Sequence, residues 1–482
     1  MTTRARPSFG LTVLAVSLPM FMVALDNLVV TNALASIRSD LGSSLENLQW
    51  VTNAYVLGFA GLLLTAAGLG DRFGRRRVFL TGTVAFTLAS VGCGLSNSTE
   101  LLILFRALQG ISASAVLPLS LTLLTVAVPQ EKRGLAIGLW SAISSLAVAL
   151  APLVGGAITT GLDWHFIFLL NIPVGLVAVP LALKVLGESQ GVATRLDVPG
   201  LVLAGGGVLA LVWAIVNAGE DGWTSGGVLA AFAGAAVLLL AFLAWERRTD
   251  APLLPLGLYR IRAFSLANLV SLAVFFGLFG PIFLIAQYLQ VARDHSAFVA
   301  GLWTLPWAVM PMLIAPFAGK LAPKVGGGPL MAAGLAVSGI GLAWFAAVAD
   351  VSASDWEFVA PFVLAGAGMG LVFAPTATVV MGSVPPQQVG KASGANTTVR
   401  ELGGALGIAA VTSIFAANGD YTSPERFTEG MTPGLWVGVA VLAVGALLAL
   451  GIPRPKKTAP AQPPAAVQSA EQSAKAEVLV GE

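Results

Sequence analysis

Apolar runs of about twenty residues recur from Leu11 almost to Gly451, parted by short polar breaks, and this recurrence limits the fold more than any other feature of the chain. A helix rises about 1.5 Å per residue, so a hydrocarbon core of roughly 30 Å takes about 20 mainly apolar residues to cross. Runs between breaks place spans near 11–34, 49–69, 78–96, 101–127, 135–159, 166–186, 198–217 and 227–245. Six more lie near 264–287, 299–319, 329–348, 358–381, 392–416 and 433–452, fourteen altogether. Charged residues make up only 10% of the chain, against roughly 25% in soluble domains, too few to clothe a water-facing surface. The sequence therefore reads as an all-α integral membrane protein.

The first run follows Arg4 and Arg6 but continues through Asp26 to Leu34, longer than the apolar region of a cleavable signal, and so reads as a span. Of the 26 lysines and arginines, Arg106 and Arg400 fall inside spans. Arg38, Arg293 and Arg426 fall on one side, and the other 21 on the side that holds the amino terminus. The positive-inside rule then predicts cytoplasmic termini, and the cell membrane is the expected location. The outer loops are short, with acidic stretches such as Glu220–Asp221, and leave no room for a folded outer domain. The tail after Pro453 lacks apolar periodicity and is expected to be disordered.

Other functional classes find little support. The single cysteine, Cys93, lies in an apolar run, which suits packing. His165 and His295 fall in predicted loops without neighbouring ligands, so no metal is expected. No nucleophile–base arrangement or phosphate loop points to an enzyme, no cofactor is implied, and no basic face points to nucleic acid. A formal charge of +2 adds nothing to this.

What remains is a handful of charges inside spans, which are costly there and mark function by default. At about 1.5 Å per residue, Asp26 lies ~12 Å and Arg106 ~9 Å from the outer end of their helices, similar depths that allow them to meet. Arg106 otherwise snorkels to the outer surface. Arg400 and Glu401 lie ~13 to 15 Å inside the thirteenth span and point about 100° apart. One would face a cavity and the other a neighbouring helix, or both would lock the helix structurally.

Several motifs carry a resemblance. Gly68-Leu69-Gly70-Asp71-Arg72-Phe73-Gly74-Arg75-Arg76-Arg77 joins the second and third spans. Leu25-Asp26-Asn27-Leu28-Val29-Val30-Thr31-Asn32 lies in the first span, and Phe105-Arg106-Ala107-Leu108-Gln109-Gly110 in the fourth. The fifth holds Gly138, Ala147, Ala151, Pro152, Gly155 and Gly156; Asp163-Trp164-His165-Phe166 through Asn171-Ile172-Pro173-Val174-Gly175 opens the sixth; and Thr397-Thr398-Val399-Arg400-Glu401-Leu402-Gly403-Gly404 lies in the thirteenth. Together they resemble the major facilitator superfamily, in particular its drug:proton antiporter branch with fourteen spans. Departures are Ala67, Ala147 and Ala151 where glycine is usual, and Leu28 and Thr31 where threonine and asparagine are.

The resemblance implies two six-helix bundles, residues 1–190 and 251–453, two inserted helices within 191–250, and a cytoplasmic tail over 454–482. It implies proton coupling or substrate contact at Asp26, Arg106, Arg400 and Glu401. The loop holding Asp71, Arg72, Gly74, Arg75 and Arg76 would latch the halves, with Asp71 against the positive end of the helix that begins near Lys391. The small residues of the fifth span would form an antiporter-type packing surface. The implied activity is proton-driven export of a small amphipathic drug or antibiotic, with the proton gradient as energy source, protons and lipid as the other partners, and a monomer as the expected state. Export of an endogenous metabolite, import, and a receptor or scaffold that transports nothing stay open. Trp303, Trp307, Met310 and Met312 are candidates for an apolar pocket, with packing the better expectation for any one of them.

Overall fold

A computed structural model describes residues 8–43, 45–191, 197–250 and 252–453. Arg4, Arg6, Arg195 and the 454–482 tail lie outside the described residues, as does the side chain of Pro152. Among the described residues every long element is helical, and fourteen segments have the length and hydropathy to cross a membrane. In chain order the helices are α1 (Phe9–Leu41), α2 (Leu45–Phe73), α3 (Arg75–Gly94), α4 (Thr99–Ala127), α5 (Arg133–Gly161), α6 (His165–Leu169), α7 (Asn171–Val185) and α8 (Val198–Asp221). Then come α9 (Gly226–Glu246), α10 (Arg262–Val291), α11 (Ala297–Val325), α12 (Gly327–Val348), α13 (Val359–Gly382), α14 (Val389–Asn418) and α15 (Pro424–Leu450).

Helices outrun the apolar segments that forecast them. The last begins at Pro424 rather than near 433, because Ser423 Oγ accepts from Arg426 N and Pro424 occupies a first-turn position that needs no amide donor. Ser98, Ser225 and Ser296 cap α4, α9 and α11 in the same way. The sixth span divides at Leu170 into α6 and α7, so His165 opens a helix instead of lying in a loop. Its partner is Asp163, whose carboxyl is held below the usual range by hydrogen bonds from the His165 amide and ring. Helix α11 runs unbroken past Pro306, Pro311, Pro316 and Pro323, where packed neighbours compensate the missing amides.

Packing exposes a repeat. In the first half α1 packs on α5 and α7, α4 on α2 and α3, and α3 on α7. In the second, α10 packs on α14 and α15, α13 on α11 and α12, and α12 on α15. Exchanging each helix for its counterpart maps one list onto the other. The halves meet through α5 against α11 and α2 against α14, a pair that the same exchange preserves. This is the signature of two bundles related by a pseudo-twofold axis. The inserted α8 packs on α9, α2 and α14, with Ala60, Val208 and Val212 at the seam. The chain thus folds as two six-span bundles with an extra helix pair beside one of their two junctions.

Candidate functional site

Asp26 and Arg106 meet inside the first bundle. Arg106 Nη1 lies 2.7 Å from Asp26 Oδ2, and the two side chains are entirely sealed from solvent. Five helical segments supply the shell. Gln109 Nε2 donates to Asp26 Oδ1 at 3.1 Å, and Asn171 Nδ2 to the same oxygen at 2.7 Å. Both amides also donate to Ser90 Oγ, which itself donates to Phe168 O. Arg106 Nε donates to Val51 O, and the guanidinium lies 4.3 Å over the Tyr55 ring. Snorkelling is thereby excluded for Arg106: its side chain points inward to a carboxylate.

Part of this shell could be found in the sequence. Gln109 stands three residues after Arg106, so the two share a helix face, and Asn171 belongs to the motif that opens the sixth span. There it marked family alone, whereas the structure gives it a bond to Asp26. Ser90 and Tyr55 had no sequence signal. Cys93, buried as expected, also has its thiol 3.2 Å from Gln109 Oε1.

Arg400 is held quite differently. It lines a small cavity between the halves, together with Trp140, Ser141 and Ser144 of α5, Phe275 of α10 and Phe373 of α13. Its guanidinium lies 4.4 Å over the Phe275 ring and 5.7 Å from that of Phe373. Nε is buried without a hydrogen-bond partner. Glu401, one residue on, is absent from the cavity wall and sits within electrostatic range of Arg400 and of Tyr55 on α2. Below Arg400 on the same helix, Asn396 donates to Asn268 and Ser271 of α10. Trp303, Trp307, Met310 and Met312 do not line the cavity; Trp303 packs on Trp356 and Trp307 on Phe362.

At the end of the bundle where the basic residues gather, Asp71 is wedged between two glycines. A side chain at Gly390, near the start of α14, would come within 2.4 Å of Asp71 Oδ1, and one at Gly191 within 2.6 Å of its Cγ. The carboxylate therefore lies against the amino end of α14, where the helix field favours negative charge. Arg75 Nε donates to Asp71 Oδ1 at 2.7 Å. Gly74 holds φ at 108°, a backbone state that favours glycine, and a β-carbon there would strike Glu188. That glutamate accepts from the Arg76 and Arg77 amides, while Arg76 Nη1 donates to Leu186 O and Arg72 is exposed. The segment after the sixth span is thus interleaved with the loop after the second, a contact for which the sequence offered no cue.

The small residues of α5 divide between two neighbours. A β-carbon at Gly134 would come within 2.2 Å of Gly319 O, and one at Gly138 within 2.7 Å of Ala315 O, both on α11 across the junction. Near the far end of α5, a β-carbon at Gly156 would meet Phe298 at ordinary contact distance, 3.4 Å. Ala147 and Ala151 are buried in the apolar core that also holds Leu25, Val29 and Ala33 of α1. Gly155 is buried and its carbonyl accepts from Thr159. Among the described residues no group of three or more His, Cys, Asp or Glu side chains has the geometry to hold a metal.

The profile of the family described as Major Facilitator Superfamily matches residues 16–408 and 267–477. The chain belongs to this superfamily. A tetracenomycin C resistance and export protein of Streptomyces glaucescens is 33% identical over 88% of this facilitator and 79% of its own length. A cephamycin export protein of Amycolatopsis lactamdurans is 36% identical over 89% of each chain. Among solved structures, the proton:xylose symporter XylE shares the fold at a TM-score of 0.64, with 16% identity over 92% of this facilitator and 96% of XylE.

Proposed function

We propose that this facilitator exports small amphipathic compounds of the antibiotic class across the cell membrane in exchange for protons, with the basic end of the bundle and both termini in the cytoplasm. The single observation that carries the reading is the Asp26–Arg106 pair, sealed in the first bundle and ringed by Gln109, Asn171, Ser90 and Tyr55. A scaffold gains little from two charges buried at such cost. The names of the relatives favour export, and the concentration of lysine and arginine at one end favours a cytoplasmic location for that end.

The chemistry follows from the bond. A proton arriving on Asp26 removes the charge that holds Arg106 Nη1, and the pair loses its electrostatic attraction while Asn171 and Gln109 keep the neutral acid in place. The pair joins α1 to α4, and α4 also touches α14 of the other half, where Ser393 Oγ donates to Pro118 O. Charge at Asp26 is therefore coupled to the junction that must open and close. One pH unit and 100 mV together supply about 3.7 kcal/mol per proton, enough for a gradient of cargo on the order of 500-fold.

The test uses everted vesicles of an efflux-deficient host that expresses the full chain, with an imposed pH gradient and antibiotics whose vesicle uptake is measured. Gradient-driven uptake that disappears with Asp26→Asn, at equal expression, is expected. Uptake that persists unchanged in Asp26→Asn removes this carboxylate from the coupling. Movement in the reverse direction makes the protein an importer.

A further inference from the structure

The cavity between the halves has an asymmetric wall. Arg400 is the one ionisable residue among those that line it, and the rest are aromatic, aliphatic, hydroxyl or amide groups. Among the described residues no hydrogen bond is made by its guanidinium, and Nε is buried without a partner. Glu401 acts on it through space, without a hydrogen bond, and is not part of the wall. The rings of Phe275 and Phe373 hold the cation by cation–π attraction, which uses none of its N–H donors as hydrogen bonds. Across the cavity Ser141 and Ser144 add hydroxyls, and Trp140 adds an apolar face.

A half-buried cation with no carboxylate hydrogen-bonded to it is an expensive feature. An anionic cargo relieves it, since a guanidinium edge suits a planar oxyanion and the flanking rings suit an aromatic body. We infer that the central cavity is selective for anions: its cargo is a small aromatic compound that carries a carboxylate, sulfonate, phenolate or enolate, bound through Arg400. This rests on the export reading above and narrows its substrate class, away from the organic cations that an acidic wall would select.

The test measures binding to the purified full chain, by equilibrium dialysis, of anilinonaphthalene sulfonate and of its uncharged parent, phenylnaphthylamine. A charge-assisted hydrogen bond to a buried guanidinium predicts that the wild type holds the sulfonate about tenfold or more tighter than the parent. Arg400→Gln should erase that difference while the parent binds as before, and Arg400→Lys should keep part of it. Equal affinity of the wild-type chain for both probes overturns the inference without recourse to any variant. Equal loss of both probes in a monodisperse Arg400→Gln chain also overturns it, since Arg400 then supports the wall instead of selecting the cargo. Either failure leaves gradient-driven movement of antibiotics by the wild type intact, so the export reading stands or falls on its own measurement.

Discussion

Arg106 and Arg400 lie deep in membrane-spanning helices, one in each half, and the chain treats them in opposite ways. Arg106 has a carboxylate at 2.7 Å, further hydrogen bonds to Gln109 and Val51, and no exposure. Arg400 has two aromatic rings, a cavity and no hydrogen bond among the described residues. The difference teaches how one fold divides two tasks. A close ion pair inside a bundle, with Arg106 Nη2 its one nitrogen left without a partner among the described residues, has little room for cargo, but one proton changes its net charge and therefore its grip. An unsaturated cation between the bundles has no proton to exchange near neutral pH, but it offers donors to whatever enters. Under the proposed function, the first half registers protons and the second registers substrate.

The largest expected effect separates the two arginines by stability. Arg106→Leu leaves Asp26 buried without its counter-charge and should cost about 3–5 kcal/mol, seen as a marked fall in the melting temperature of the purified protein. The double variant Asp26→Asn with Arg106→Gln, which removes both charges and keeps the amide hydrogen bonds, should recover most of that loss and none of the proton-driven transport. A single variant as stable as the wild type would mean that the pair is not the closed unit described above.

The sequence showed Arg106 and Asp26 at depths that allow them to meet, but not the shell that surrounds them. Span count, helical class and the repeated motifs were legible because hydropathy integrates over twenty residues and tolerates errors at the ends. The depth of the two charges followed from helical rise alone. Their partners did not, since Ser90 and Tyr55 come from α3 and α2, and helix rotation in a uniformly apolar span leaves no hydrophobic stripe to read. The same blindness hid Glu188, whose role depends on a loop that returns from the sixth span to cover Gly74. It also hid the division of labour in α5, where one motif serves α11 at Gly138 and α1 at Ala147.

That division gives a second, smaller test, because α5 against α11 is one of the junctions through which the halves communicate. Gly138→Ala places a methyl 2.7 Å from Ala315 O and from Pro316 Cα, backbone atoms that cannot swing aside. Overpacking of this kind costs about 1–3 kcal/mol, and here it falls on the closed junction, so the variant should transport more slowly as well as melt earlier. Gly156→Ala meets Phe298 at 3.4 Å and should change either quantity by much less. Equal effects at the two positions would show that the basic end of the junction is no tighter than the other.

The smallest expected change in stability belongs to Arg400→Leu, and it bears most directly on the contrast between the two halves. Removal of Arg106 takes a hydrogen-bonded partner from a buried carboxylate; removal of Arg400 takes only a through-space attraction from Glu401, to which it is not hydrogen-bonded. Leucine would pack on Phe275 and Phe373 and relieve a desolvated charge, and replacement of buried charge by apolar groups is often neutral or stabilising. The melting temperature should therefore hold or rise slightly, within about 1 kcal/mol of the wild type, while binding of the aromatic sulfonate weakens at least tenfold. A large fall in stability would place Arg400 in a structural ion network with Glu401, and the two arginines would then be alike in kind and different only in degree.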